Sequence, residues 1–245
     1  MQGILVSILV GLCTGLGALP FLFIKKVPQA LKDGLLGFAG GIMVFASSFN
    51  LIQPALEKGN LISVIGGIII GTLLLTFIEY FVPHTHTKNY KENDNGSVLK
   101  KNILLAIAVA IHNVPEGFAI GVGYGTGNMS TGLNLALAIG VQNIPEGLVV
   151  AAPLIEGGYP RGKALLFSFL TGIGEPIAAA IGFFAARLTD KLLPLILSIA
   201  AGAMFYVVSH ELIPESHCNN NEMLATYGFI IGLILMIIFR TVIGE

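Results

Sequence analysis

The sequence predicts an all-α protein that crosses a membrane many times, and three observations carry that expectation. Hydrophobic residues make up 54% of the chain and charged residues only 11%, against roughly 25% charged in soluble domains. Apolar stretches near the ~20 residues needed to cross the hydrocarbon core of a bilayer recur along the whole length. The chain also holds 31 glycines, and small residues let membrane helices approach closely where no hydrophobic force drives them together.

Eight spans are expected, at 3–24, 32–52, 61–82, 99–123, 131–155, 162–186, 190–213 and 223–243. The first is read as a span and not a signal peptide, because Met1 to Phe23 has no basic leading region and its apolar run exceeds the roughly 7–15 residues of such peptides. The second carries Gly40-Gly41-Ile42-Met43 near its middle, and the third ends before the most polar stretch of the chain, His84 to Lys101. Spans four and five each contain a polar cluster interrupted by proline. The sixth holds Glu175, the seventh runs into His210-Glu211-Leu212-Ile213-Pro214-Glu215, and the eighth is almost uniformly apolar.

Basic residues collect in alternate connections. Lys25, Lys26, Lys32, Lys88, Lys91, Lys100, Lys101, Arg161 and Lys163, nine of the 13, fall on one side, and Lys58, Arg187, Lys191 and Arg240 on the other. The positive-inside rule then places segment 84–101 in the cytoplasm and both termini outside it.

Several function classes drop out. A net charge of −1 without a basic run leaves no electrostatic case for nucleic acid. Cys13 and Cys218 form no CxxC pair, which argues against a disulfide framework and a thiolate zinc site. There is no nucleotide-binding Gly-rich loop, so no ATP-driven step is expected. A membrane metalloenzyme would need HExxH or paired ExxH helices, and neither is present. The chain is therefore not expected to be an enzyme or to use a catalytic cofactor.

The chemistry lies in a repeat. Span four contains His112-Asn113-Val114-Pro115-Glu116-Gly117 and span five Gln142-Asn143-Ile144-Pro145-Glu146-Gly147, 30 residues apart. Consecutive spans run antiparallel, so the pair predicts an inverted repeat meeting near the membrane centre. Residues i, i+1 and i+4 share one helix face, which groups His112, Asn113 and Glu116, and likewise Gln142, Asn143 and Glu146. Pro115 and Pro145 each remove a backbone donor and are expected to kink central helices four and five at the polar cluster.

Glu116, Glu146 and Glu175 sit deep in their spans, where an ionised carboxylate costs at least about 2.5 kcal/mol. No span interior offers a lysine or arginine to pair with them. Such carboxylates are either protonated, as in a proton relay, or meet a cation from outside. Depth agrees with a shared centre: His112, Gln142 and Glu175 lie about 11–13 residues from the ends of their spans, roughly 16–20 Å into the bilayer. Met43 lies at a similar depth in span two, where a thioether would favour softer transition metals.

These residues resemble the ZIP (Zrt/Irt-like protein) metal transporters, whose hallmark is an HNxPEG-type motif in the fourth of eight spans with a related one in the fifth. Gln142, where many members carry His, is similar to the GufA-type branch. The resemblance implies a two-metal centre, with Met43, His112, Glu116, Gln142 and Glu146 at the first ion and Asn113, Glu116, Asn143, Glu146 and Glu175 at the second. It implies a cargo of Zn²⁺, with Fe²⁺, Mn²⁺ and Cd²⁺ as alternatives, brought into the cytoplasm by alternating access, and a homodimer in the lipid bilayer. His210-Glu211 resembles the family's seventh span, and with Glu79 it is expected to form an exit path. His84, His86, Glu215 and His217 flank that path, where a solvated loop is an equal reading for the first two.

Overall fold

The structure is a computed structural model that describes residues 2–24, 26–81 and 95–243; His84 and His86 lie outside the described residues. Among the described residues every regular element is helical. In hydrocarbon each backbone polar group must be satisfied within its own segment, which is what a helix does. The elements are α1 (Gln2–Gly17), α2 (Gln29–Phe45), α3 (Gln53–Lys58), α4 (Leu61–Phe81), α5 (Asn95–Gly125) and α6 (Met129–Glu156). They are followed by α7 (Arg161–Thr171), α8 (Gly174–Ala186), α9 (Leu193–Val207), α10 (Ile213–Ser216) and α11 (Glu222–Ile243).

Among the described residues seven segments are long and apolar enough to cross a membrane: Gly3–Leu22, Gln29–Lys58, Leu61–Tyr80, Met129–Glu156, Arg161–Ala186, Leu193–Ser216 and Glu222–Ile243. The chain is thus a multi-pass membrane protein. The long helix α5, which carries His112 and Glu116, stands beside these. Large apolar side chains such as Ile62, Phe77, Ile177, Ile231 and Ile237 cover the outside of the bundle, the arrangement lipid requires and water would penalise.

Glycine sets how closely the helices meet. α5 packs on α8, α1 on α6, α2 on α11 and α4 on α9. At these contacts a Cβ on Gly117 would stand 2.2 Å from the Glu175 carbonyl oxygen, and one on Gly41 2.0 Å from that of Phe229. The same atom on Gly71 would stand 2.1 Å from the Ile199 oxygen. Backbone meets backbone there, and dispersion contact replaces the hydrophobic drive that lipid cannot supply.

Two helices widen into π-helical turns just before a proline. Ala46–Ile52 joins α2 to α3 ahead of Pro54, and Val208–Leu212 joins α9 to α10 ahead of Pro214. Proline has no N–H for the carbonyl four residues earlier, and here the chain takes a wider turn: the Gln53 N–H reaches the Ser48 carbonyl and the Ile213 N–H that of Val208. The sixth expected span is divided at Gly172–Ile173 into α7 and α8. That places Glu175 in the first turn of α8, where the helix dipole favours a carboxylate.

At the other end of α2, Asp33 is fully buried and fastens the connection before α11. Its carboxylate accepts from Gln29 Nε2 at 2.7 Å, Asn219 Nδ2 at 3.1 Å and Asn221 Nδ2 at 2.8 Å. An Asp33→Ala variant removes the buried carboxylate that ties three amides to α2 and is expected to lose about 1–2 kcal/mol of stability. A lowered midpoint of thermal aggregation in detergent would register it, and an unchanged midpoint would refute it.

Candidate metal centre

Three glutamates, two asparagines and a glutamine converge where α5, α6 and α8 meet. Glu116, Asn113, Gln142, Asn143 and Glu175 are at or near zero exposure and Glu146 is 4% exposed. Gln142 Nε2 donates to Glu146 Oε1 at 3.1 Å and also to Glu116 Oε1, so one amide joins the repeated motifs of α5 and α6. Asn143 Nδ2 donates to Glu175 Oε1 at 2.6 Å and to the Val10 carbonyl of α1 at 3.1 Å. Asn113 Nδ2 donates at 2.9 Å to the Thr171 carbonyl, at the end of α7.

Each of these amides turns its nitrogen toward fixed acceptors. The oxygens Asn113 Oδ1, Gln142 Oε1 and Asn143 Oδ1, with Glu116 Oε2 and Glu146 Oε2, are buried without hydrogen-bond partners. Buried oxygens left unpaired are costly. A knot of them around carboxylates is the donor set that divalent cations take. Among the described residues no lysine or arginine is buried, whereas Asp33, Glu79, Glu116, Glu146 and Glu175 are.

The glycines of the two motifs explain how the acids come together. A Cβ on Gly147 would lie 1.6 Å from the Thr14 carbonyl oxygen, so only glycine lets α6 lie against α1 with Glu146 and Asn143 in place. Ser168 Oγ of α7 ties the same crossing, donating to Thr14 O at 3.0 Å and Gly147 O at 3.1 Å.

His112 pairs toward the end of α9. Its Nε2 pairs with Glu211 Oε2, and ligand atoms of Glu79, His112 and Glu211 lie within 4.8 Å of one another. His210 Nε2 stands 3.6 Å from Glu79 Oε2, its ring stacks on Tyr206 at 5.0 Å, and Tyr206 donates its hydroxyl to Glu79 Oε2. A cavity beside this group is lined by His112, Glu211 and Glu215 and reaches Glu146 of the centre. The sequence reading groups His112 with Glu116 on one helix face; the structure also brings His112 against Glu211, with Glu146 on the shared cavity.

Met43 is fully buried in the apolar core on α2, which packs on α6. His217 Nδ1 sits 2.9 Å from Ser216 Oγ and 3.0 Å from the Ile213 carbonyl. Sequence reasoning does not single out Tyr206, although its position four residues before His210 puts both on one helix face.

The family model described as ZIP zinc transporter matches residues 84–240, which include both repeated motifs, Glu175 and His210-Glu211. The chain belongs to the ZIP family. Among its ZIP relatives it is 38% identical to zinc transporter GufA of Myxococcus xanthus, over 99% of each chain. It is 38% identical to zinc transporter ZIPB of Bordetella bronchiseptica, over 94% of this chain and 78% of that one. It is 35% identical to zinc transporter ZupT of Clostridium perfringens, over 96% and 94%. These full-length matches carry the ZIP relationship across α1, α2 and α4, which precede the family-model match.

Proposed function

We propose that this ZIP-family chain moves Zn²⁺ into the cytoplasm through a two-metal centre, and that Fe²⁺, Mn²⁺ and Cd²⁺ are further cargoes. The observation that carries the proposal is the buried group Glu116, Glu146 and Glu175 without a buried lysine or arginine among the described residues. An incoming dication supplies the missing positive charge where desolvation makes uncompensated carboxylates expensive. The relatives named above are all zinc transporters, which supports zinc as the first cargo to test.

In this reading Met43, His112, Glu116, Gln142 and Glu146 hold one ion and Asn113, Glu116, Asn143, Glu146 and Glu175 the other. Glu116 and Glu146 bridge them, each carboxylate using both oxygens. Gln142 now places an amide nitrogen between two carboxylates. Rotating that amide would exchange an N–H donor for an oxygen ligand without moving the helix. Glu79, His210 and Glu211 receive the ion on the cytoplasmic side, with His112 passing it on. α5 supplies the fourth span and brings the total to eight, with Pro115 and Pro145 kinking α5 and α6. The family resemblance adds an inverted repeat, termini outside the cytoplasm, a homodimer and transport without catalysis.

The deciding experiment is Zn²⁺ uptake into proteoliposomes holding the purified full-length protein, with internal pH followed at the same time. Saturable uptake is expected; none from a well-folded protein for Zn²⁺, Fe²⁺ or Mn²⁺ would overturn the reading. Replacing Gln142 with His substitutes a nitrogen donor that zinc and its neighbours favour. Gln142→His is expected to tighten Zn²⁺ binding roughly tenfold relative to Mn²⁺ in competition calorimetry. An unaltered preference would remove Gln142 from the ligand set.

A further inference from the structure

Two carboxamides outside the centre have no structural employment. Asn50, in the π-turn after α2, and Asn134, in the second turn of α6, are each 1% exposed. Neither the Oδ1 nor the Nδ2 atom of either side chain has a hydrogen-bond partner. Native structures hold few such groups, because each costs about 1–3 kcal/mol when left unmet. Here two occur on segments packed against one another.

Their placement relative to the centre is specific. Asn134 precedes Gln142 by eight residues on α6 (142 − 134 = 8), so it shares that face about 12 Å away. Asn50 follows Met43 by seven residues on the α2 side (50 − 43 = 7). Both lie toward the end of the bundle formed by connections 58–61 and 125–129, whereas Glu79, His112 and Glu211 lie toward the opposite end. Pro54 cannot donate to the Asn50 carbonyl, and the π-turn widens the helix at this residue, a distortion frequent at functional positions.

We infer that Asn50 and Asn134 form a neutral oxygen-donor station for a partly hydrated divalent cation, between the 58–61/125–129 end of the bundle and the two-metal centre. The inference rests on the transport reading, which supplies the cation. Carboxamide oxygens replace water in the shell of such an ion, and the N–H groups are free to bond outer water or its counter-ion. Neutrality is the useful property. A passage must hold an ion firmly enough to strip it yet loosely enough to release it, and a carboxylate here would compete with Glu116 and Glu146 for the same cargo.

The test uses the full-length protein in proteoliposomes with Zn²⁺. An Asn50→Leu/Asn134→Leu variant keeps side-chain size, removes all four unpaired atoms and so is expected to fold. Its initial uptake at low Zn²⁺ is expected to fall roughly tenfold while Zn²⁺ affinity of the purified protein by calorimetry stays unchanged. The single variant Asn134→Asp is expected to lower both KM and maximal rate about fivefold or more, because an anionic station holds the ion and releases it slowly. Carboxamides that serve packing alone predict no change in KM from the aspartate. Uptake within twofold of wild type in the leucine variant, or an unmoved KM in Asn134→Asp, overturns the station while leaving the transport reading intact. Inactive wild type removes both. Should the leucine variant not fold, the KM of Asn134→Asp decides.

Discussion

Proteoliposomes carrying Glu116→Gln are expected to take up Zn²⁺ at no more than about a hundredth of the wild-type rate, since removing one member of a buried charge pair costs about 3–5 kcal/mol and each ~1.4 kcal/mol is tenfold. The substitution is isosteric, and the new amide oxygen can still accept from Gln142 Nε2, which now bonds Glu116 Oε1. The fold should therefore survive: the variant is expected to elute and melt like the wild type. What disappears is the carboxylate that the proposed ion would draw on, at a position without exposure to solvent and without a buried lysine or arginine among the described residues. Glu146→Gln should behave alike through the same Gln142 fork. Retention of uptake within threefold by a folded Glu116→Gln protein would be incompatible with a bridging role for this residue.

Gly147→Ala is expected to be the most disruptive single-methyl change in the chain. The added carbon would lie 1.6 Å from the Thr14 carbonyl oxygen, 2.6 Å from its carbon and 3.0 Å from Ser168 Oγ. Two of these are backbone atoms, which no rotamer change can move aside, so α1 and α6 must separate. Overpacking costs typically 1–3 kcal/mol, and this backbone contact belongs at about the upper end or beyond it. Separation would also lengthen the 3.1 Å bond from Asn143 Nδ2 to Val10 O and displace the adjoining Glu146. We expect a melting midpoint lowered by roughly 5–10 °C together with weakened Zn²⁺ binding by calorimetry. Gly66→Ala, where a Cβ meets nothing within 4 Å, is the matched control and should be silent. Equal behaviour of the two variants would contradict the close crossing.

The all-α membrane character is plain in the composition, because burying so little charge in so much apolar chain has no soluble solution. Local spacing also reaches some of the centre: i, i+4 periodicity puts Gln142 on the face of Glu146, and these two share a hydrogen bond. Long-range facts were out of reach. His112 turns to Glu211, 99 residues away (211 − 112 = 99), and nothing local to either motif encodes that meeting. The division at Gly172–Ile173 follows from a backbone contact with α1, where a Cβ on Gly172 would stand 2.1 Å from Gly11 O. The π-turns have only a weak sequence trace in Pro54 and Pro214. Prolines in membrane helices are met by several local adjustments, and tertiary packing selects among them. Asn50 and Asn134 are invisible for a simpler reason: a lone asparagine in a span is usually satisfied by a neighbouring helix.

The glycine contacts have a mechanical corollary. Those at Gly11, Gly15, Gly17, Gly117, Gly121, Gly147, Gly172 and Gly182 bind α1, α5, α6, α7 and α8 to one another. Those at Gly37, Gly41, Gly228 and Gly232 bind α2 to α11, those at Gly59, Gly67, Gly71 and Gly202 bind α4 and the end of α3 to α9, and the continuous run from α2 through its π-turn to α3 packs on α9 and joins the two pairs. Among the described glycines no contact of this kind joins the first set to the second. The bundle is therefore two tightly keyed blocks meeting along a seam of larger, smoother side chains such as Met43, Ile139 and Met204. A keyed surface resists sliding and a smooth one permits it, so movement of one block against the other is expected to run along this seam. The π-turn that carries Asn50 packs on α6 across that seam and His112 pairs with Glu211 across it, whereas Glu116, Gln142, Asn143, Glu146 and Glu175 all ride on one block.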